Sequence, residues 1–304
     1  MNKIPFYLVT GFLGSGKTTL IKHFIDQFAD SKKIAVIQNE YADVNIDSRE
    51  LEQTGKSFEL LEMNNGSVFC VCLLGSFVRS LADFIREHQP DLIILEASGL
   101  SDPISIGQIL SASALRNMIW LAHTYTLVDA LNFQKTIERI GRNSHQIRVA
   151  DTIVLNKCDL RTGSIDEIRN KLLIINPFAR IIETSYGKIE FIAGSVFHLP
   201  VSVLGTDQIE SEGRPDVDSA VVKLNRSISP ENFHLFIRKY SLLTYRIKGY
   251  ADTTLGPVAV QTSFEHIEIK QIPDNPYHTE IVIIGPQIDQ KNLQQEFEKL
   301  CSQN

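Results

Sequence analysis

Short apolar runs alternate with amphipathic stretches between residues 4 and 183. The runs are rich in β-branched residues and have the length of buried strands. In the stretch after the first run, apolar residues recur three and four positions apart, which is the spacing of one helical face. The residues of that face are Leu20, Ile21, Phe24, Ile25 and Phe28. Alternating strands and helices predict an α/β domain with a parallel sheet flanked by helices. The predicted strands are 4–9, 34–38, 92–95, 124–128, 152–155 and 180–182.

A second pattern follows a polar segment. Residues 203–218 are acidic and contain glycine and proline, which is typical of a linker. Beyond them, apolar runs follow one another closely, with helical stretches at 230–240 and 290–301. This order predicts a small α+β domain with an antiparallel sheet, so we expect a first domain of residues 1–202 and a second of 219–304. The predicted strands of the second domain are 220–224, 243–250, 258–262, 267–271 and 281–284.

Composition narrows the class of protein. The chain has 304 residues, 43% hydrophobic and 22% charged, and no uncharged apolar run is long enough to span a membrane. The apolar N-terminus is short and ends in a glycine loop, so we interpret it as a first strand of a cytoplasmic protein. A net charge of -6 and the absence of a basic cluster argue against nucleic acid as the main partner. Four cysteines do not predict a disulfide scaffold.

The strongest motif lies between the first predicted strand and the helix after it. Residues 11–18 have the form GxxxxGK[ST], and the strand before it and the helix after it are the context of a P-loop. Small residues let main-chain N–H groups close around phosphates, Lys17 reaches the β and γ oxygens, and Thr18 offers a hydroxyl to Mg²⁺. The first domain is therefore predicted to be a P-loop NTPase domain. The predicted phosphate-binding residues are Gly11, Gly14, Ser15, Gly16, Lys17, Thr18 and Thr19.

A second motif follows the strand predicted at 152–155. Asn156, Lys157 and Asp159 form an NKxD sequence at the carboxyl end of that strand, where open α/β sheets bind ligands. The Asp159 carboxylate can accept from N1–H and the exocyclic amine of guanine, a contact that adenine cannot make, and Lys157 can cover the base or its ribose. The sequence therefore predicts GTP as the ligand and argues against an ATP-dependent kinase.

A third motif completes the nucleotide site. Residues 91–96 form an apolar strand that ends in an acid and is followed by Gly99, as a Walker B strand and its switch loop do. Glu96, at the carboxyl end, is the predicted acid on the Mg²⁺ side, whereas Asp91 lies at the opposite end and is predicted to cap it. Lys17 and Glu96 are the predicted catalytic residues.

With these motifs, the chain resembles the CobW-like branch of the metallochaperone P-loop GTPases, whose other members include nickel chaperones of urease and hydrogenase. The form Glu96-x-x-Gly99 resembles the Walker B end of this group. The resemblance implies slow GTP hydrolysis coupled to delivery of a metal or metallocofactor to a client protein. The segments that carry it are VTGFLGSGKTTLI, QNEYADVNID, LEASGLSDP, TLVDALNF, ADTIVLNKCDL, NPFARIIETSYGKIE, TYRIKGYADT and TEIVIIGPQID.

The family's metal motif, GCxCC, is altered in this chain. Aligning Asn65-Gly66 with the family leaves only Cys70 of the three cysteines, whereas a shifted alignment matches Cys70 and Cys72 and places Leu73 at the last position. In either alignment at least one thiolate is missing, and the histidine-rich linker of the family is absent from 203–218.

The role of these cysteines stays open at this point. Cys70 and Cys72 could hold Zn²⁺ or Co²⁺ together with Glu40 or Asp43, because two thiolates and a carboxylate are a partial ligand set for such ions. Alternatively, they are small apolar residues of a buried segment. The first reading predicts a metal carrier with a client metalloprotein, and the second a nucleotide-dependent switch for a corrinoid or other client. A homodimer is compatible with both.

Overall fold

The computed structural model describes residues 3–39, 56–63, 71–97, 106, 110, 112–135, 141–191, 218–263, 266–272 and 279–302. The chain divides into two compact units, residues 1–196 and 197–304. Residues 203–217 of the predicted linker lie outside the described residues, so its boundaries stay a prediction.

The first unit is built on a parallel sheet of seven strands in the order β3-β2-β4-β1-β5-β6-β7. All six predicted strands are present, and β5 begins at residue 119 rather than 124. Strand β3 is not predicted from the sequence, because it lies at the sheet edge and has glutamates and no β-branched residue. The strands are β1 Ile4–Gly11, β2 Ile34–Asn39, β3 Glu59–Met63, β4 Leu92–Glu96, β5 Ile119–Asp129, β6 Thr152–Asn156 and β7 Arg180–Glu183.

Both faces of this sheet are covered by a core. In β1, Phe6 and Leu8 belong to one apolar cluster and Tyr7 and Val9 to another, because successive side chains of a strand point to opposite faces. The predicted apolar face of α1 packs into the second cluster. The helices described in this unit are α1 Lys17–Phe28, α2 Val71–His88, α3 Gly141–Arg148 and α4 Ile165–Ile175. The carboxyl ends of the strands and the N-terminus of α1 therefore meet at one edge.

The second unit is a small α+β domain, as the sequence predicts. Its five strands are antiparallel, in the order β11-β10-β9-β12-β8. The predicted start of the second strand of this unit is shifted: β9 begins at residue 246 instead of 243, since Leu243 lies in the preceding turn and is 57% exposed. The elements are β8 Asp218–Leu224, α5 Pro230–Ser241, β9 Arg246–Thr253, β10 Gly256–Ser263, β11 His266–Gln271, β12 Thr279–Gly285 and α6 Gln290–Cys301.

The helices of the second unit pack on one face of its sheet. Phe233 and Phe236 of α5 and Phe297 of α6 are buried with the inward side chains of the strands. Side-chain caps begin both helices: Ser229 accepts from a main-chain N–H of α5, and Asp289 accepts from two of α6. None of the helices in the described parts of the chain is long and apolar enough to span a membrane.

Candidate nucleotide-binding site

The P-loop, residues 11–18, joins β1 to α1 through a backbone that only glycine adopts easily. Gly14 and Gly16 have φ values of 75° and 102°, in the left-handed region. A Cβ on Gly16 would also lie 2.5 Å from Asn156 Nδ2. The loop therefore needs glycine both for its conformation and for the close approach of β6.

The start of α1 is suited to an anion. Its N-cap residue, Gly16, provides no side-chain cap, so the first main-chain N–H groups of the helix are not satisfied by a side chain at that position. The Ser15 hydroxyl is buried and has no hydrogen-bond partner within the described residues. Lys17 is 8% exposed, and its Nζ lies 3.4 Å from the carbonyl oxygen of Phe12 within the same loop. A phosphate would provide an acceptor for the Ser15 hydroxyl, which has none within the described residues.

A carboxylate closes the site on the side of β4. The Thr18 hydroxyl donates to Glu96 Oε1 at 3.0 Å, and the Gln38 amide donates to Glu96 Oε2 at 3.3 Å. Glu96 is 7% exposed at the end of β4, in register with Gln38 of β2. Since the hydroxyl of Thr18 donates its proton to the carboxylate, its lone pairs are free to bind a cation. Thr18 and Glu96 are thus chemically suited to hold Mg²⁺, and that role stays a prediction.

The NKxD segment is fastened to the P-loop on the other side. Asn156 Nδ2 donates to the carbonyl of Ser15 at 2.9 Å, and Lys157 Nζ donates to the carbonyl of Gly14 at 2.7 Å. Asn156 Oδ1 also accepts from the main-chain N–H of Gly187 at 2.9 Å. Asp159 follows in a short 3-10 helix, Cys158–Leu160, and its side chain is exposed. The NKxD segment and the P-loop are therefore joined by direct hydrogen bonds.

Asp129, at the end of β5, is a member of this constellation that the sequence analysis missed. Its Oδ2 lies 2.8 Å from Lys157 Nζ, and the residue is 8% exposed. Burial on its own would raise the pKa of Asp129, but the hydrogen bonds from Lys157 and Asn132 outweigh it and hold that pKa below its usual value. Asp129 is therefore a carboxylate paired with the lysine of the NKxD segment.

Comparison with known proteins agrees with this geometry. Residues 5–183 match the sequence profile described as "CobW/HypB/UreG, nucleotide-binding domain". The chain belongs to the CobW/HypB/UreG family. Its residues 217–301 match the "Cobalamin synthesis protein cobW C-terminal domain", so this family member also carries the second domain of the CobW branch.

Relatives of the family share most of the chain. The zinc chaperone CobW of Pseudomonas aeruginosa is 28% identical over 95% of this chain and 89% of its own. The zinc chaperone YjiA of Escherichia coli is 26% identical over 98% of both chains. A crystal structure of the Zn(II)-bound YjiA GTPase from E. coli superposes with a TM-score of 0.63 at 22% identity, covering 99% of each chain, which shows the same fold.

The structure places most of the predicted nucleotide residues at one edge of the sheet. Asp91 lies at the opposite end of β4 from Glu96, where its carboxylate accepts from the main-chain N–H of Lys33 at 2.8 Å. Cys158, inside the NKxD segment, is half-buried and donates to the carbonyl of Leu155. The predicted residues gathered at the edge are Gly11, Gly14, Ser15, Gly16, Lys17, Thr18, Thr19, Glu96, Asn156, Lys157 and Asp159.

The predicted metal ligands are not described. Glu40, Asp43 and Cys70 of the predicted Zn²⁺ or Co²⁺ site lie outside the described residues, as does Gly99 of the predicted nucleotide site. Cys72 is in the first turn of α2, and its side chain is not described. Across the described part of the chain, no group of three or more His, Cys, Asp or Glu could hold a metal ion. The cysteine site therefore stays a prediction.

Two residues of the candidate site that the sequence analysis does not name lie at strand ends. Gln38 and Asp129 are the last or nearly the last residues of β2 and β5, the ends at which a parallel sheet of this class binds ligands. Neither residue belongs to a motif with fixed spacing. The sequence marks each of them only as a polar residue at the end of an apolar run.

Proposed function

We propose that this CobW-family chain is a Mg²⁺-dependent GTPase that hydrolyses GTP slowly and couples its nucleotide state to delivery of a metal to a client protein. The observation that carries the nucleotide part is the pair of hydrogen bonds from Asn156 and Lys157 to the carbonyls of Ser15 and Gly14. These bonds make the phosphate loop and the guanine segment one unit, as a site for a whole nucleotide requires.

The residues at the phosphate end have distinct tasks. Lys17 brings a positive charge to the β and γ oxygens, and Thr18 with Glu96 would hold Mg²⁺. When bound, Mg²⁺ supplies neutralising charge for the phosphates. We expect slow hydrolysis because no glutamine or arginine finger can be assigned from the sequence, and the Gln38 amide donates to Glu96.

Recognition of guanine is assigned to Asp159. Its carboxylate is exposed just beyond the anchored Lys157, so both of its oxygens are accessible to N1–H and the exocyclic amine of the base. A base without these two donors leaves the carboxylate without partners, which costs binding free energy. GTP rather than ATP is therefore the proposed substrate.

The metal part rests on the relatives and on the topology around the altered cysteine motif. Two full-length relatives are named zinc chaperones. In this chain β2 and β3 are parallel neighbours that end side by side, with Asn39 opposite Met63. The residues that follow β2 include Glu40 and Asp43, and those that follow β3 lead to Cys70. We propose that these segments bind Zn²⁺ or Co²⁺ as cargo.

A second candidate function is a nucleotide-dependent switch that carries no metal itself. It is favoured by the missing thiolate, because a closed tetrahedral zinc site needs four ligands. The client would then be a corrinoid or other protein. A cytoplasmic location, the client and a homodimer stay predictions.

Zinc titration with and without GTP and Mg²⁺ distinguishes the two functions. The carrier predicts about one Zn²⁺ per chain, loss of binding in the Cys70→Ser, Cys72→Ser double variant, and a change in zinc affinity of a few-fold on adding GTP. Cys158→Ser is the matched control, because the polar contacts of that thiol are with the main chain of Leu155 and Thr184, outside the segments proposed to hold zinc. An unchanged isotherm in the double variant, or no zinc binding by the wild type at micromolar protein, favours the switch and contradicts the carrier.

A further inference from the structure

The Lys157 ammonium is held by two acceptors that come from different segments of the chain. It donates to the carbonyl of Gly14 at 2.7 Å and to Asp129 Oδ2 at 2.8 Å. The carbonyl belongs to the P-loop, and Asp129 is the last residue of β5, in register with Asn156 of β6. Lys157 therefore joins three strand ends, and only one of its two partners carries a negative charge.

Asp129 is also held in place by hydrogen bonds that do not involve Lys157. Its Oδ1 accepts from the main-chain N–H groups of Leu131 at 2.9 Å and Asn132 at 3.2 Å. Its Oδ2 also accepts from the Asn132 side chain at 3.1 Å. With hydrogen bonds to both oxygens, the carboxylate has one orientation, and that orientation aims Oδ2 at Lys157.

The backbone conformation of Lys157 explains why an ion pair with Asp129 would stabilise the turn. The residue has a φ of 61°, in the left-handed region, which is unfavourable for a side chain other than glycine. The turn at Lys157 separates Asn156, which is buried against the P-loop, from Asp159, which is exposed. A strained backbone conformation persists only when surrounding contacts stabilise it. Here those contacts are made by the ammonium group at the end of the Lys157 side chain.

We infer that Asp129 is a positioning residue for guanine: by fixing Lys157 against the P-loop, it holds the turn that presents Asp159 to the base. This inference rests on the proposed GTP site and adds to it a residue that does not touch the nucleotide. Its effect should therefore fall on discrimination between bases, which depends on where the Asp159 carboxylate lies.

Binding of GDP and IDP to Asp129→Asn tests this role. IDP lacks the 2-amino group of guanine, so the ratio of the two dissociation constants reports how well Asp159 is placed. We expect the Kd for GDP to be about ten-fold higher in the variant, which is the scale of one lost hydrogen bond between charged groups. The Kd for IDP divided by the Kd for GDP should be at least about three-fold smaller than in the wild type. The kcat for GTP at saturation should stay within about two-fold, because Lys17 and Thr18 are untouched.

The matched control is Glu296→Gln in the second unit. Lys239 and Glu296 form an ion pair of 2.7 Å, and the pKa of Glu296 is held down by hydrogen bonds from Lys239 and Tyr240 despite burial. Removing this charge should lower the unfolding temperature and leave the GDP and IDP affinities unchanged.

A double-variant cycle with Lys157→Met shows whether Asp129 acts through the lysine. Adding Asp129→Asn to Lys157→Met should change the Kd for GDP by less than about two-fold, because the contact is already gone. The double variant removes both charges, so it provides a folded comparison even if Asp129→Asn alone unfolds because its lysine is unpaired.

Three results would overturn the inference: a wild-type Kd for GDP in Asp129→Asn, an equal loss of GDP and IDP affinity, or effects of the two substitutions that simply add. A wild-type protein that binds GDP no better than ADP would instead contradict the guanine site on which both proposals rest.

Discussion

The two sides of the P-loop are held by different kinds of hydrogen bond. On the side proposed to bind the base, the base side, Asn156 and Lys157 donate to main-chain carbonyls of the loop, and Lys157 also donates to the Asp129 carboxylate. On the side proposed to bind Mg²⁺, the magnesium side, Thr18 and Gln38 donate to a single side-chain carboxylate, that of Glu96. The base-side acceptors are held by the backbone, since main-chain N–H groups also fix Asp129, whereas Glu96 accepts from side chains, which can rotate or exchange partners.

This difference suggests that the base side determines which nucleotide binds and that the magnesium side changes with the nucleotide state. A backbone carbonyl in a glycine-rich loop keeps its position as long as the loop keeps its fold, so the base side should be the same in all nucleotide states. The Glu96 carboxylate can respond to Mg²⁺, and Gln38, which donates to it, lies shortly before Glu40 and Asp43 of the proposed cargo site. We therefore expect base-side variants to change which nucleotide binds and magnesium-side variants to change turnover.

The largest effect is expected from Lys17→Ala, which removes the positive charge of the P-loop, between the base side and the magnesium side. Hydrolysis of GTP should fall by roughly three orders of magnitude, because the lysine stabilises charge that develops on the transferred phosphoryl group. Binding of GTP should weaken more than binding of GDP. Phosphate release and equilibrium binding measure both, and wild-type turnover would end the P-loop assignment.

Glu96→Gln is expected to break the magnesium side alone. The amide keeps the size of the side chain but loses the charge and one acceptor, so kcat should fall about 10²-fold while the Kd for GDP without Mg²⁺ stays near wild type. Asp91→Asn, the same chemical change at the opposite end of β4, is the control and should keep wild-type turnover. Equal loss in both variants would show a structural effect on the strand.

Gln38→Leu should give the smallest change of the series. It removes one hydrogen bond to a charged group while Thr18 still holds the other oxygen, so the Mg²⁺ concentration for half-maximal hydrolysis should rise by about three- to ten-fold. Gln27→Leu is the matched control, since that glutamine bonds the main chain of Phe191 away from the site. A Mg²⁺ requirement identical to wild type would remove Gln38 from the magnesium side.

Local motifs were predictable from the sequence and long-range partners were not. The P-loop and the NKxD segment have fixed spacing and lie between a strand and a helix or directly after a strand, so their chemistry follows from neighbouring residues. Asp129 and Gln38 gain their roles from residues 28 and 58 positions away, which are neighbours only through the order of strands in the sheet.

The strands also differ in how well the local sequence predicts them. Strongly apolar, β-branched strands such as β1, β4 and β6 were predicted because burial on both faces gives continuous apolar runs. The edge strand β3, with its glutamates, lacks that pattern. The start of β9 was set too early because Leu243 is apolar but exposed, which the pattern of apolar residues cannot reveal.

The central claim, a guanine site read by Asp159 on a segment fixed to the P-loop, is tested most directly by comparing GTP and XTP binding to wild type and Asp159→Asn. Xanthine carries an oxygen where guanine has its amine, so an amide donor should suit it. The account predicts at least about a ten-fold loss of GTP affinity and a gain for XTP in the variant, with Asp166→Asn, an exposed aspartate in the first turn of α4, unchanged. An unchanged preference for GTP in Asp159→Asn would contradict the account.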